Sequence, residues 1–256
     1  MVDPEAWRAQ AATCACRRRY EPTGQVLPGD CQAGPGEACM AGPDIEVMSL
    51  GLVSFRAGLV GQAEAAARVR EGTRVGILMA LRHPPVITLG RRAAPEELHM
   101  GPVALQSLGV DVYPVDRGGG ATYHYPEQAV VYPILDLRRL RLTVPRLLAI
   151  TGDAVLEVLR SVGVEATWDP ERPGAYVDGA KVASVGYHLS KELTTHGVAV
   201  NLGRDLRGFD YIDPCKVRDQ PIASVEGLTG TCPDPDATAL ALANAIAARL
   251  GDSPGS

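Results

Sequence analysis

Apolar patterning in this 256-residue chain begins only at about Ile45, and from there short β-like runs, broken by glycine and proline, outnumber helical stretches. Strand-like segments are expected over 45–55, 74–82 and 86–89, the last two on either side of the Pro84-Pro85 break, then over 110–115 and 129–135. Four more fall near 165–168, 176–177, 181–189 and 197–202. Helical periodicity marks an alanine-rich stretch at 56–71, a short one around 96–107, and one opened by Thr143 and Pro145 that runs to Gly163 on a Leu148, Val155, Leu159 and Val162 stripe. A closing helix, capped by Asp236 and ended by Gly251, buries Leu242, Ile246 and Leu250. Helices and strands interleave without a strict βαβ rhythm. The expected fold class is therefore α+β, with mixed, largely antiparallel sheets and packed helices in one domain over 45–251.

Residues 1–44 differ from the rest. They hold Cys14, Cys16, Cys31, Cys39, the run Arg17-Arg18-Arg19 and clusters such as Gly34-Pro35-Gly36, without apolar periodicity, and are read as a disordered extension. The cysteines contain no tight C-x2-C pair, so a tail is favoured over a zinc site. A net charge of -5 lacks the basic field that nucleic-acid binding needs. No apolar run approaches the roughly 18 residues of a membrane span, and the longest, 75–81, reads as a buried strand. Asp3, Pro4 and Glu5 stand where a secretory leader would be basic, so a cytoplasmic location with free thiols is expected.

Three constellations carry chemistry. Cys215 sits in Asp213-Pro214-Cys215. A thiol is mostly protonated at neutral pH, so a nucleophilic cysteine needs a base or a positive neighbour. The chain has only three lysines, Lys181, Lys191 and Lys216, and Lys181 lies inside the apolar run Lys181-Val182-Ala183-Ser184-Val185-Gly186. A lysine ammonium about 4 Å from a sulfur, at an effective dielectric near 20, favours the thiolate by about 4 kcal/mol. The alternative is a strand-edge lysine reaching solvent. The third constellation, Arg117-Gly118-Gly119-Gly120-Ala121-Thr122-Tyr123-His124, is either a plain turn or a nest of backbone N–H groups for a carbonyl or anion. It matches neither phosphate-loop pattern, and no H-E-x-x-H or C-x2-C arrangement supports a catalytic metal.

That glycine segment, followed by Gln128 and Tyr132-Pro133-Ile134, resembles the signature of the lipoyl(octanoyl) transferases. The likeness extends through 83–91, through 177–186, through His196-Gly197-Val198-Ala199-Val200-Asn201, and to Asp213-Pro214-Cys215. The resemblance implies a catalytic domain similar to that of the biotin and lipoate protein ligases. It implies an acyltransferase of lipoate biosynthesis that moves an octanoyl group from octanoyl-acyl carrier protein to the lysine of a lipoyl domain, in 2-oxoacid dehydrogenase E2 subunits and the glycine cleavage H protein. Cys215 would form the thioester and Lys181 would activate it. Arg117, Gly118, Gly119, Gly120, Ala121, Thr122, Tyr123 and His124, with Ser184, Val185, Gly186, Gly197, Val198 and Ala199, would line the acyl-substrate site. No cofactor is implied, neither ATP nor metal, because a thioester is already activated.

Two positions depart from the family. His124-Tyr125-Pro126-Glu127-Gln128 stands where His-Gly-Pro-Gly-Gln is usual, and Lys216 where a glycine usually follows the cysteine. Glu127 is expected to point outward, since an unpaired buried carboxylate is costly. Other readings are an ATP-dependent lipoate protein ligase, which needs no catalytic cysteine, and a non-catalytic homologue that binds the carrier protein. Arg138, Arg139, Arg141 and Arg146 form either a docking surface for that acidic carrier or a solvated basic face.

Overall fold

The apolar run at 75–81 is the spine of the molecule. In the computed structural model, which describes residues 44–213 and 221–251, it forms β2 (Gly76–Arg82), whose first six residues are buried. β1 (Ile45–Leu52) lies parallel to β2 and is joined to it by helix α1 (Phe55–Arg70), while β6 (Gln128–Leu135) is antiparallel on the other side. β10 (Leu193–Asn201), β9 (Ala180–Ser190), β8 (Gly174–Val177) and β7 (Thr167–Asp169) follow as antiparallel neighbours in a seven-stranded sheet. A second, three-stranded sheet has β3 (Val86–Leu89) between β4 (Asp111–Pro114) and β5 (Ala121–His124). Among the described strand pairs only β1–β2 and β3–β4 are parallel, so the expected mixed, largely antiparallel α+β architecture is the one observed.

Period-two alternation along β2 and β6 divides the large sheet into two faces. Leu78, Ala80, Ala129 and Val131 enter one core with helices α3 (Val144–Ser161) and α5 (Pro235–Gly251). Ile77, Met79, Leu81, Val130 and Tyr132 enter the other with Ala65, Ala66 and Val69 of α1. A third cluster packs Tyr123, Tyr125 and Phe209 behind the small sheet. Helix α4 (Val225–Thr229) precedes α5.

Several sequence expectations are corrected by the packing. The helix expected over 96–107 is two pieces, a 3-10 turn Pro95–Glu97 and helix α2 (Pro102–Ser107), because Gly101-Pro102 restarts the chain. Thr143 does cap α3, accepting from the Arg146 N–H at 3.4 Å, but its buried stripe runs through Leu147, Ile150, Thr151, Ala154, Val155, Val158 and Leu159. Leu148 instead lines a cleft. The α5 cap is Asp234, whose Oδ1 accepts from the Ala237 N–H at 2.7 Å; Pro235 takes the first helical position, so the cap is the residue before it. Asp236 pairs with Arg82 of β2 at 2.9 Å.

Residues 1–43, and with them the tail cysteines, lie outside the described residues, as do Pro214, Cys215 and Lys216. No helix among the described residues is long and apolar enough to cross a membrane, and no cluster of three or more His, Cys, Asp or Glu among them is arranged to hold a metal ion.

Candidate active site

A cleft of about 760 Å³ opens beside α1, over β6, β10, β9 and β8 and under the glycine segment. Its most constrained wall is β9. Asp178 and Gly179, with φ of 49° and 82°, form the two-residue turn between β8 and β9, the I′ geometry that Asp-Gly favours in hairpins. Lys181 follows two residues later. Ala175 pairs with Ala183 but Tyr176 pairs with Lys181, so Val182 is an extra residue, a β-bulge. Val182 and Ala183 both enter the main core, and Lys181 and Ser184, three apart, both line the cleft. The Lys181 Nζ lies 5.5 Å from the centre of the Tyr176 ring.

Backbone bonds tie Lys181 to the chain that returns after position 220. Its N–H donates to the Pro221 carbonyl (2.8 Å), and its carbonyl accepts from the Ala223 N–H (3.0 Å). On the other flank, the Asp213 N–H donates to the Glu97 carbonyl at 2.9 Å, and His99 Nε2 lies 3.1 Å from Asp213 Oδ1. Both described neighbours of the Cys215 segment are thus fixed beside the cleft walls, and Ile222 lines the cleft itself.

The glycine segment is held from behind. The N–H groups of Gly90, Arg91 and Arg92 donate to the carbonyls of Gly120 (3.1 Å), Arg117 (3.0 Å) and Gly119 (3.1 Å). The Gly118 N–H donates to the Tyr187 carbonyl at 2.9 Å. Among the described residues, the N–H groups of Gly119 and Gly120 have no protein acceptor, and Gly119 has φ of 90°. Arg117 is buried and donates to the Thr88 hydroxyl and carbonyl, with its Nη2 2.6 Å from the carbonyl oxygen. Glu97, 3% exposed, accepts from the Ala121 N–H (2.7 Å) and the Ala94 N–H (2.9 Å).

Polar groups under the cleft form a neutral network. Gln128 Nε2 donates to Asn201 Oδ1 (2.9 Å) and the Tyr123 carbonyl (3.2 Å), so Gln128 Oε1 accepts from His124 Nδ1–H at 2.7 Å. Asn201 Nδ2 donates to the Ala223 carbonyl at 3.0 Å, next to the Lys181 strand. Burial holds His124 at about 3, with neighbouring His83 adding to the effect, and holds His83 and His196 at about 4, against an ordinary 6.5. His83 donates from Nδ1 to the Val53 carbonyl (2.8 Å) and accepts from the Tyr132 hydroxyl (2.9 Å). His196 has φ of 57°, and its N–H donates to Gln62 Oε1 at 2.7 Å.

Arg117, Gly118, Gly119, Gly120, Ala121, Thr122, His124, Lys181, Ser184, Val185, Gly186, Gly197, Val198 and Ala199 all converge on this cleft. Tyr123 does not line it: between Thr122 and His124 on β5, strand alternation turns its ring to the opposite face, where it stacks on Tyr125. Tyr125 is buried there and donates to the Gly203 carbonyl at 3.1 Å, so the bulk that replaces a family glycine points away from the cleft. Glu127 is exposed and packs on Gly203. Arg139 donates to the Arg74 carbonyl at 2.7 Å and so ties its turn to the segment after α1. Sequence reasoning did not single out Glu97, Thr88, Arg91, Arg92 or Tyr176 as site residues. A lone glutamate in a proline-opened turn and two arginines after a strand-ending glycine were the available signals.

The family model of the lipoyl protein ligase A/B catalytic domain matches residues 59–247. An octanoyltransferase of Solibacter usitatus is 39% identical over 179 residues, covering 70% of this chain and 81% of that protein. An octanoyltransferase of a Roseiflexus species is 40% identical over 190 residues, covering 73% and 79%. Among solved structures, lipoate-protein ligase A bound with ATP superposes with a TM-score of 0.62 at 18% identity, over 80% of this chain and 86% of that one. A bipartite lipoate protein ligase from Thermoplasma acidophilum gives 0.56 at 17% identity, over 82% and 93%. These structural likenesses bear on the fold, and the sequence matches carry the assignment: the chain belongs to the lipoyl protein ligase A/B catalytic-domain family.

Proposed function

We propose that this protein is an octanoyltransferase that takes octanoyl from acyl carrier protein onto Cys215 as a thioester and passes it to the lysine of a lipoyl domain. The acceptors are lipoyl domains of 2-oxoacid dehydrogenase E2 subunits and the glycine cleavage H protein. The observation that carries this reading is Lys181, held by the β9 bulge in a largely apolar cleft and bonded through its own backbone to Pro221 and Ala223.

In the first half-reaction the Cys215 thiolate attacks the donor thioester carbonyl. The Gly119 and Gly120 N–H groups, which have no acceptor among the described residues, would donate to the oxyanion. The donor C–S bond breaks, and its sulfur leaves as a thiol after taking a proton. In the second, the acceptor lysine, as a neutral amine, attacks the acyl-enzyme; the amide forms, the Cys215 thiolate departs and the amine loses its surplus proton. The ammonium of Lys181 favours both thiolate states and relays those protons. His124, neutral and tied to Gln128, holds the loop and leaves Nε2 as an acceptor.

The test combines the protein, octanoyl-carrier protein and apo lipoyl domain without ATP, and weighs the products. The lipoyl domain is expected to gain one octanoyl group, and the protein with donor alone is expected to gain one that hydroxylamine removes. Full transfer by Cys215→Ala would overturn the covalent route, and transfer of free octanoate only with ATP would favour a ligase.

A further inference from the structure

The lining of the cleft is cationic in a chain of net charge -5. Arg91, Arg92, Arg117, Arg172 and Lys181 line it, against one carboxylate, Glu171. Arg117 is committed to Thr88 and Arg172 to Asp169, and Lys181 rests against Tyr176. Arg91 and Arg92 are different. Both are exposed, and among the described residues neither guanidinium has a hydrogen-bond or ion-pair partner. Their backbones are nevertheless fixed by the bonds to Arg117 and Gly119. Two unneutralised cations are thus held in place where the glycine segment meets the mouth.

We propose that Arg91 and Arg92 form a subsite for the phosphodiester of the donor's prosthetic arm. This rests on the reading that the donor is a carrier-bound thioester, because such carriers hold their acyl group on a pantetheine arm joined to the protein through a phosphodiester. A guanidinium offers paired N–H donors that match phosphate oxygens. Arg91 and Arg92 line the cleft yet are exposed, so a phosphate bound by their guanidinium groups would lie on the solvent side of the glycine segment, with the acyl group inside. Val130, Val198 and Ala199 remain as apolar wall for the acyl chain.

The experiment compares two donors that differ by one group, octanoyl-phosphopantetheine and octanoyl-pantetheine, with apo lipoyl domain as acceptor. For the Arg91→Ala/Arg92→Ala variant, the ratio of kcat/KM between phosphorylated and unphosphorylated donor is expected to fall about tenfold, chiefly through KM, and to fall less at high salt. The Arg91→Lys/Arg92→Lys variant, which keeps both charges, is expected to retain an intermediate ratio and carries the test if the alanine variant does not fold. An unmoved ratio overturns the subsite, whether or not overall activity falls. Transfer of free octanoate with ATP that the same substitutions abolish also overturns it, since the phosphate bound there would be a nucleotide's. A parent protein inactive with both thioesters would instead remove the acyl-transfer reading itself.

Discussion

A Cβ atom on Gly174 would lie 2.6 Å from Cε of Lys181 and 2.6 Å from the Ala183 carbonyl oxygen, so the lysine side chain rests in the space that this glycine leaves. The side chain can swing away, but the carbonyl belongs to the neighbouring strand and cannot move cheaply. Gly174→Ala is therefore expected to cost about 1–3 kcal/mol of stability through overpacking. Transfer should fall by about a hundredfold, the scale of a 1 Å misplacement of a reacting group. Thermal unfolding and the transfer assay on the same sample check both; full activity in a folded Gly174→Ala protein would separate the lysine from catalysis.

Lys181→Met should shift the pH dependence of Cys215 alkylation to higher pH and slow acylation strongly, because a cation within about 4 Å is worth about 4 kcal/mol to the thiolate. Lys216→Met should change neither. The measurement is the iodoacetamide rate against pH, and an unchanged profile in Lys181→Met would move the activating role to another group.

Glu97 joins two walls of the site: its carboxylate holds Ala121 at the end of the glycine segment, and its carbonyl holds Asp213 before Cys215. Glu97→Ala leaves the buried Ala121 N–H without its acceptor and should cost about 1–3 kcal/mol. Glu97→Gln keeps one carbonyl oxygen and should lie between it and the parent protein. Urea midpoints, with kcat and KM for each variant, check the order.

His83, His124 and His196 make stability depend on pH. Their protonation in the fold is pushed from 6.5 to about 4, about 3 and about 4, so between 6.5 and about 4 the unfolded chain binds more protons than the folded one. Stability is complete above 6.5 and falls as the pH drops, by about 1.4 kcal/mol per pH unit for each ring. Urea unfolding between about pH 7 and pH 5 reads the slope, and His83→Gln should flatten it.

Glu127 is exposed and does not line the cleft, so Glu127→Gln should change transfer less than about threefold, in line with ordinary surface substitutions. A large gain in rate would mean that the carboxylate restrains Lys181.

What could be read from the chain and what could not divide along physical lines. β3 was legible to the residue because Pro84-Pro85 fixes its start, and Thr143 was legible as a cap because its role is local. The glycine segment and Lys181 stood out by composition. That they share one site follows from the family resemblance, whereas the bulge at Val182 beside Lys181 is announced by no periodicity. Alternation sends Tyr123 away from Thr122 and His124, but β5 is only four residues long and the glycines before it mask its period. Glu97 escapes notice because the two partners that tie it to the site, Ala121 and Asp213, lie 24 and more residues away in sequence, and its burial follows from the tertiary fold alone.

The two ends of β9 tolerate change very differently. At the far end, Lys191 and Glu192 turn the chain into β10 with φ of 49° and 65°, beyond the cleft-lining residues. An insertion there would lengthen a surface hairpin. At the near end, Asp178 and Gly179 are separated from Lys181 by one residue, and the bulge has already used up the strand's slack. One residue added or lost in that turn would shift the register and carry the lysine towards the core. Within a lineage, length variation is therefore expected to accumulate after Ser190 and to be purged before Ala180. The hairpin works as a molecular ruler with one fixed zero.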